Sequence, residues 1–158
     1  MVKKRDKLLF LGKTLSKEIH DVQVSADKTR QDAYEVARSA AASPSQSGDR
    51  FHATAQADIV QKRLDDINTT LVEIKKATDE KIPTKITKTC YVELLINDNT
   101  LHRIFILKNL VSLPIEEKIV SADSLLGKAI VGKKAGQNFE YDPSGTGVKV
   151  KGVVNTIE

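Results

Sequence analysis

Over the first half of the chain, apolar and small residues recur every three or four positions. They run Leu15, Ile19, Val22, Ala26, Thr29, Ala33, Val36 and Ala40. The steps alternate between four and three, which is the seam of a heptad helix. Leu8 and Leu11 carry the pattern backwards, and Gly12 is its one weak point. A second series with the same alternation runs Ala53, Ala57, Val60, Leu64, Ile67, Leu71 and Ile74. Between the two lies Ser43-Pro44-Ser45-Gln46-Ser47-Gly48, rich in turn formers and free of apolar side chains. Helices joined by so short a connection fold back on each other, so residues 1–80 are expected to form an antiparallel coiled-coil hairpin with its tip near 43–50. A second helix of about 25 residues gives a hairpin on the order of 40 Å long. Its seam is alanine-rich towards the tip and leucine- and isoleucine-rich towards the base, so the base is expected to supply most of the stability. Pro83 biases Ile82 out of the helix and ends the pattern.

Past Pro83 the period changes to two. Cys90 to Ile96 reads as a strand, Asn97 to Thr100 as a turn, and Leu101 to Leu107 as its hairpin partner. Ile119-Val120 is a short strand, and Asn138 to Tyr141 is another. Asp142-Pro143-Ser144-Gly145-Thr146-Gly147 is a strong turn, and a last strand runs from Val148 and Val150 to near Ile157. One short helix interrupts the strands. Ser124 is its N-cap, Leu125, Leu126, Ala129 and Ile130 form an apolar face, Gly132 stops it, and Gly136 turns the chain into the next strand. Residues 81–158 are therefore expected to be a small α+β domain with a core of Val92, Leu94, Ile104, Ile106, Ile119, Leu126, Ile130 and Phe139.

Composition agrees with a long charged helix pair better than with one large core. Of 158 residues, 29% are charged and 4% aromatic, with no tryptophan. The formal charge of +4 comes from 25 basic and 21 acidic residues. The two signs are interspersed except at Lys3-Lys4-Arg5, which reads as a solvated helix start. Cys90 is the only cysteine, so no intramolecular disulfide and no cysteine-based zinc site can form. With no long apolar run and no signal-peptide pattern, the expected location is the cytoplasm, without a membrane partner.

The stretch Ser121 to Gln137, S-A-D-S-L-L-G-K-A-I-V-G-K-K-A-G-Q, resembles the C-terminal signature of Gre-type bacterial transcription elongation factors. In that family a serine-capped short helix ends in a Gly-Lys step and an x-Gly turn. The proline that usually follows the capping serine is Leu125 here. Phe51-His52-Ala53 and Arg63-Leu64 add partial matches in the second helix, and the order of helical hairpin then small β-rich domain also resembles the family. The resemblance implies a C-terminal domain similar to FK506-binding proteins, with a mainly antiparallel sheet flanked by a helix. It also implies a non-enzymatic factor without a cofactor of its own. Such a factor inserts its coiled coil into the secondary channel of bacterial RNA polymerase and docks by its C-terminal domain. Docking would use exposed groups around Ser124, Lys128, Lys133 and Lys134. Any contact with DNA or RNA would be indirect, within the elongation complex, and the factor would be a monomer.

Family tips carry an acidic pair, because the polymerase's Mg²⁺ and its activated water need anionic oxygen ligands. Counted back from Phe51-His52-Ala53, the pair falls on Pro44 and Ser47, and neither can supply a charge. Asp49 is the one acid nearby, beside Arg50, and it reads as an N-cap for the second helix more readily than as a metal ligand. Ser47, Asp49 and Arg50 are thus the tip candidates, and strong stimulation of transcript cleavage is not expected. The competing function is a coiled-coil interaction scaffold that does not act on the polymerase. Gly127 to Lys134 has P-loop spacing but ends in lysine where the Mg²⁺-binding hydroxyl belongs, so nucleotide binding is not expected. His20, His52 and His102 lack metal-ligand spacing.

Overall fold

The computed structural model describes residues 5–40, 47–97, 100–109, 111, 113 and 115–158; the side chains of residues 40, 47, 49 and 50 also lie outside the description. Two long helices come first, α1 (Asp6–Ala40) and α2 (Ser47–Asp79). They are followed by β1 (Cys90–Ile96), β2 (Thr100–Leu107), β3 (Lys118–Ser121), α3 (Leu125–Ile130), β4 (Asn138–Tyr141) and β5 (Val150–Ile157). This is the expected α+β order. The chain divides into two compact units, one of Thr14–Thr69 and one that joins Met1–Lys13 to Thr70–Glu158.

Within Thr14–Thr69 the two helices run antiparallel. Arg63 pairs with Glu18 at 2.9 Å, and the Arg30 guanidinium donates to the Gln61 side chain. Leu15, Val22, Ala26, Leu64 and Ile67 are buried. Thr29, Ala33 and Val36, with Ala53, Ala57 and Val60, are only half-buried. Small side chains leave the distal seam thin, so apolar burial is concentrated in the proximal part, as the composition of the seam suggests. α1 spans the patterned stretch, whereas α2 is longer than the pattern indicated. α2 has 33 residues because it starts at Ser47, so Asp49 lies in its first turn and is not its N-cap. A carboxylate near a helix N-terminus is also favoured by the macrodipole, so the same residue type fits both positions.

In the other unit the sheet order is β3-β2-β1-β5-β4. β1 pairs antiparallel with β2 and β5, and β5 antiparallel with β4, while β3 runs parallel to β2. One face carries Cys90, Val92, Leu94, Ile104, Ile106, Phe139 and Val154, packed against Ile130 of α3, with Ile86 and Ala122 closing the cluster. Six of the eight expected core residues are buried there. Leu126 is only partly buried against the cluster, and Val120 takes the place of Ile119. The reason is register: Val120 sits beside Ile106 and shares its face, whereas Ile119 sits beside Phe105 on the opposite one. Val148 is 69% exposed and precedes β5. The Asp142 carboxylate accepts from the amides of Ser144, Gly145 and Gly147, so the turn runs further than its Pro-Ser-Gly core and delays the strand.

The first turns of α1 belong to this same unit. Leu8 and Leu11 are fully buried, and a Cβ on Gly12 would make only ordinary van der Waals contact with the Ile74 side chain, at 3.4 Å. Lys7 lies over the Tyr91 ring at 5.5 Å, and its amide donates to Glu158 Oε1 at 2.6 Å. Arg5 is 3% exposed, so the basic run at the start of α1 is not solvated at this position; Lys3 and Lys4 lie outside the described residues. The cation is held because Nη2 donates to the Lys81 carbonyl at 2.8 Å, just past the C-terminal end of α2, where a positive charge is favoured.

Cys90 sits in the core with its thiol donating to the Thr87 carbonyl at 3.2 Å. Burial pushes this thiol up to about 11. The thiolate is the reactive form, so a disulfide reagent at pH 8 should label Cys90 very slowly in the folded protein and rapidly in denaturant. Fast labelling of the native chain would contradict this packing.

Candidate functional site

The serine-capped segment takes the geometry its sequence suggests. Ser124 Oγ accepts from the Gly127 amide at 3.0 Å and donates to the Ser121 carbonyl at 2.7 Å, so the cap fixes both the start of α3 and the turn before it. Because both functions of the hydroxyl are engaged inside the segment, the contribution of Ser124 is to hold the helix in place. Gly127 is buried, and a Cβ there would lie 2.2 Å from the Ser121 carbonyl oxygen. At the other end, Gly132 adopts φ 87 and Gly136 φ 83, left-handed values that glycine takes at little cost. The Gly132 amide donates to the Ile86 carbonyl at 2.8 Å, which ties the helix end to the strand-side segment. Gly127 to Ile130 is helical and packed, so the P-loop spacing forms no phosphate-cradling loop.

The outer surface of this segment presents Leu125, 59% exposed, then Lys128 in the last turn of α3, and Lys134 beyond it. Lys133 is half-buried and lines a cleft of about 710 Å³, together with Ala129, Phe139, Glu140, Lys151 and Gly152. The fold thus brings Lys128, Lys133 and Lys134 onto one helix and its closing turn. It also adds Lys151, which sequence reading missed. Alternation along β5 could have placed Lys151 on a face, but only the β4–β5 register sets it opposite Glu140. That carboxylate is held below its ordinary range by the hydrogen bond from Lys149 at 2.7 Å.

The tip candidates belong to the other unit. Ser47, Asp49 and Arg50 occupy the first turn of α2, with their side chains outside the described residues, and Pro44 lies outside them altogether. Just after them, Phe51 is 73% exposed and meets His52 edge-on at a centroid distance of 6.0 Å. Among the described residues, no three His, Cys, Asp or Glu side chains gather as a metal site. No helix among them is long and apolar enough to cross a membrane.

No protein-family model matches the chain, and no curated protein does. Solved structures do. The transcription factor Gfh1 aligns over 93% of this chain and 92% of its own at 15% identity, with a TM-score of 0.39. Gfh1 of Thermus aquaticus aligns over 88% of this chain and 92% of its own, at 15% identity and a TM-score of 0.41. The prokaryotic transcription elongation factor GreA/GreB of Nitrosomonas europaea aligns over 58% of this chain and 78% of its own, at 16% identity and a TM-score of 0.36. These are distant likenesses of fold.

Proposed function

We propose that this chain is a Gre-type regulator of transcription elongation that binds bacterial RNA polymerase. It places the helical hairpin in the secondary channel and docks by the α3 segment of the C-terminal domain. The observation that carries the reading is the Ser121–Gln137 segment. Its Ser124 cap and its two left-handed glycines, Gly132 and Gly136, support the features on which the sequence resemblance rests. Lys128, Lys133 and Lys134 are the docking cations in this reading, and Ser124 and Gly127 set the helix that presents them. A polymerase surface that receives them would be acidic, and the interaction would weaken as salt rises.

The factor is not an enzyme and carries no cofactor. Its tip does not supply the acidic pair that ligation of a second Mg²⁺ in the polymerase would need, because the matching positions are Pro44 and Ser47. It therefore occupies the channel without strongly stimulating transcript cleavage, and acts by competing with other channel binders or by altering pausing. In stalled elongation complexes, addition of the protein should leave the transcript largely uncleaved, and Asp49→Ala should change nothing. Robust cleavage that Asp49→Ala abolishes would show that the tip is a working metal ligand after all. The scaffold alternative predicts self-association through the hairpin; a monomer in sedimentation velocity at micromolar concentration favours the elongation reading.

A further inference from the structure

The three docking lysines have a neighbour that sequence adjacency does not reveal. Ile86, in the connection between α2 and β1, is 2% exposed and belongs to the core cluster of the C-terminal unit. Its amide donates to the Lys133 carbonyl at 2.8 Å, and its own carbonyl accepts from the Gly132 amide at 2.8 Å. The turn that closes α3 therefore holds both backbone groups of Ile86 and fixes the exposed Lys85 next to it. Segments 84–89 and 121–137 together carry five lysines, Lys85, Lys88, Lys128, Lys133 and Lys134, against one acid, Asp123. Lys88 Nζ lies 4.0 Å from Asp123, so these two offset each other. None of the ion pairs among the described residues involves the other four lysines. Lys85, Lys128 and Lys134 are exposed, and Lys133 is half-buried. Like charges held on two hydrogen-bonded segments repel one another, and an anionic partner relieves that repulsion.

We propose that Lys85 is a further docking residue, so that the docking surface is built from two segments of the chain and receives an acidic patch of protein. The assignment rests on the reading of the chain as a polymerase-binding factor. Leu125 decides the chemistry of the partner. It opens α3 within the same segment as three of the cations and is 59% exposed. A protein surface offers both carboxylates for the lysines and apolar groups that cover Leu125, whereas a phosphate backbone offers only the charge. One exposed cation contributes little affinity by itself, and its larger effect is on the salt dependence and the orientation of docking. Because Ile86 ties Lys85 to the closing turn of α3, a partner that engages both segments also holds the connection between α2 and β1 in place.

The test is surface plasmon resonance of the full chain on immobilised bacterial core RNA polymerase free of nucleic acid, at low and at moderate salt. Lys85→Glu should weaken binding by about tenfold at low salt and make the remaining binding less sensitive to salt. Lys85→Arg keeps the charge and should retain the affinity within about twofold. Lys118→Glu makes the same charge change on β3 and should also stay within about twofold. Circular dichroism melts establish that all three variants fold. Failure of the unaltered chain to bind overturns the polymerase reading, and the assignment of Lys85 with it. Binding that Lys85→Glu leaves unchanged, or that Lys118→Glu weakens equally, overturns the assignment of Lys85 alone. Dependence on Lys85 that appears only in elongation complexes containing DNA and RNA would put Lys85 on a phosphate backbone and overturn the protein partner.

Discussion

Gly127→Ala should destabilise the C-terminal unit by roughly 3 kcal/mol and lower its unfolding midpoint by about 10 °C. The added methyl would stand 2.2 Å from the Ser121 carbonyl oxygen and 2.6 Å from that of Ala122. Both obstacles are backbone, so no rotamer change can relieve the overlap. Ser121 cannot retreat easily, because the Ser124 hydroxyl and amide both donate to that carbonyl, and β3 ends on the same residue. The strain would spread into the cap and into the β2–β3 pairing. Gly132→Ala is the control. Its Cβ meets nothing within 4 Å, so only the left-handed backbone at φ 87 opposes it, a cost of about 1 kcal/mol. Near-ultraviolet dichroism of the tyrosines follows the unit. A Gly127→Ala midpoint no lower than that of Gly132→Ala would contradict the packing of α3 on its preceding turn.

A second large effect is expected in the helix pair. Ile67 is 1% exposed, and Ile67→Ala should cost about 3 kcal/mol as a truncation in a packed seam. Val60→Ala, two seam positions nearer the distal end and half-buried, should cost less than about 1 kcal/mol. Helical ellipticity against urea reads both. Equal losses would mean that the distal seam is as tightly packed as the proximal one, and that the Ala53, Ala57 and Val60 layer carries more of the stability than its small side chains suggest.

Much of this architecture could be read from residue types. The alternation of four and three placed both helices, because burial in a helix pair selects that spacing directly. Ser124, Gly132 and Gly136 announced a cap, a stop and a turn through local chemistry alone, and the structure has all three. What local pattern could not supply was register and distant company. Ile119 and Val120 are equivalent by hydropathy, and only alignment with Phe105 and Ile106 tells which one enters the core. The parallel run of β3 beside β2 is likewise a property of the crossover, not of four residues. Arg5 sits in a basic run of a kind usually solvated, and its burial depends on Lys81, 76 residues away in sequence. Lys151 joins the Lys133 cleft for the same kind of reason.

Counting back from Phe51-His52-Ala53 put the acid-pair positions on Pro44 and Ser47; Ser47, expected in the turn, instead opens α2, and Pro44 lies outside the described residues. Taking Asp49 as an N-cap instead of a first-turn residue came from treating Gly48 as part of the turn, when the helix already includes it. In the C-terminal domain Lys128, Lys133 and Lys134 are near in sequence and the fold keeps them on α3 and its closing turn, Lys128 and Lys134 exposed and Lys133 half-buried. The hydroxyl of Ser124 was found for its cap, and that is where its hydrogen bonds go.

The central claim is that the chain binds bacterial RNA polymerase through the α3 segment. Co-sedimentation of the full chain with bacterial core enzyme at low salt tests it most directly. The account predicts a one-to-one complex that is lost on raising salt and lost in a Lys128→Glu, Lys133→Glu, Lys134→Glu variant that remains folded. Failure of the unaltered chain to sediment with the polymerase would contradict the account, and so would a complex indifferent to those three charges.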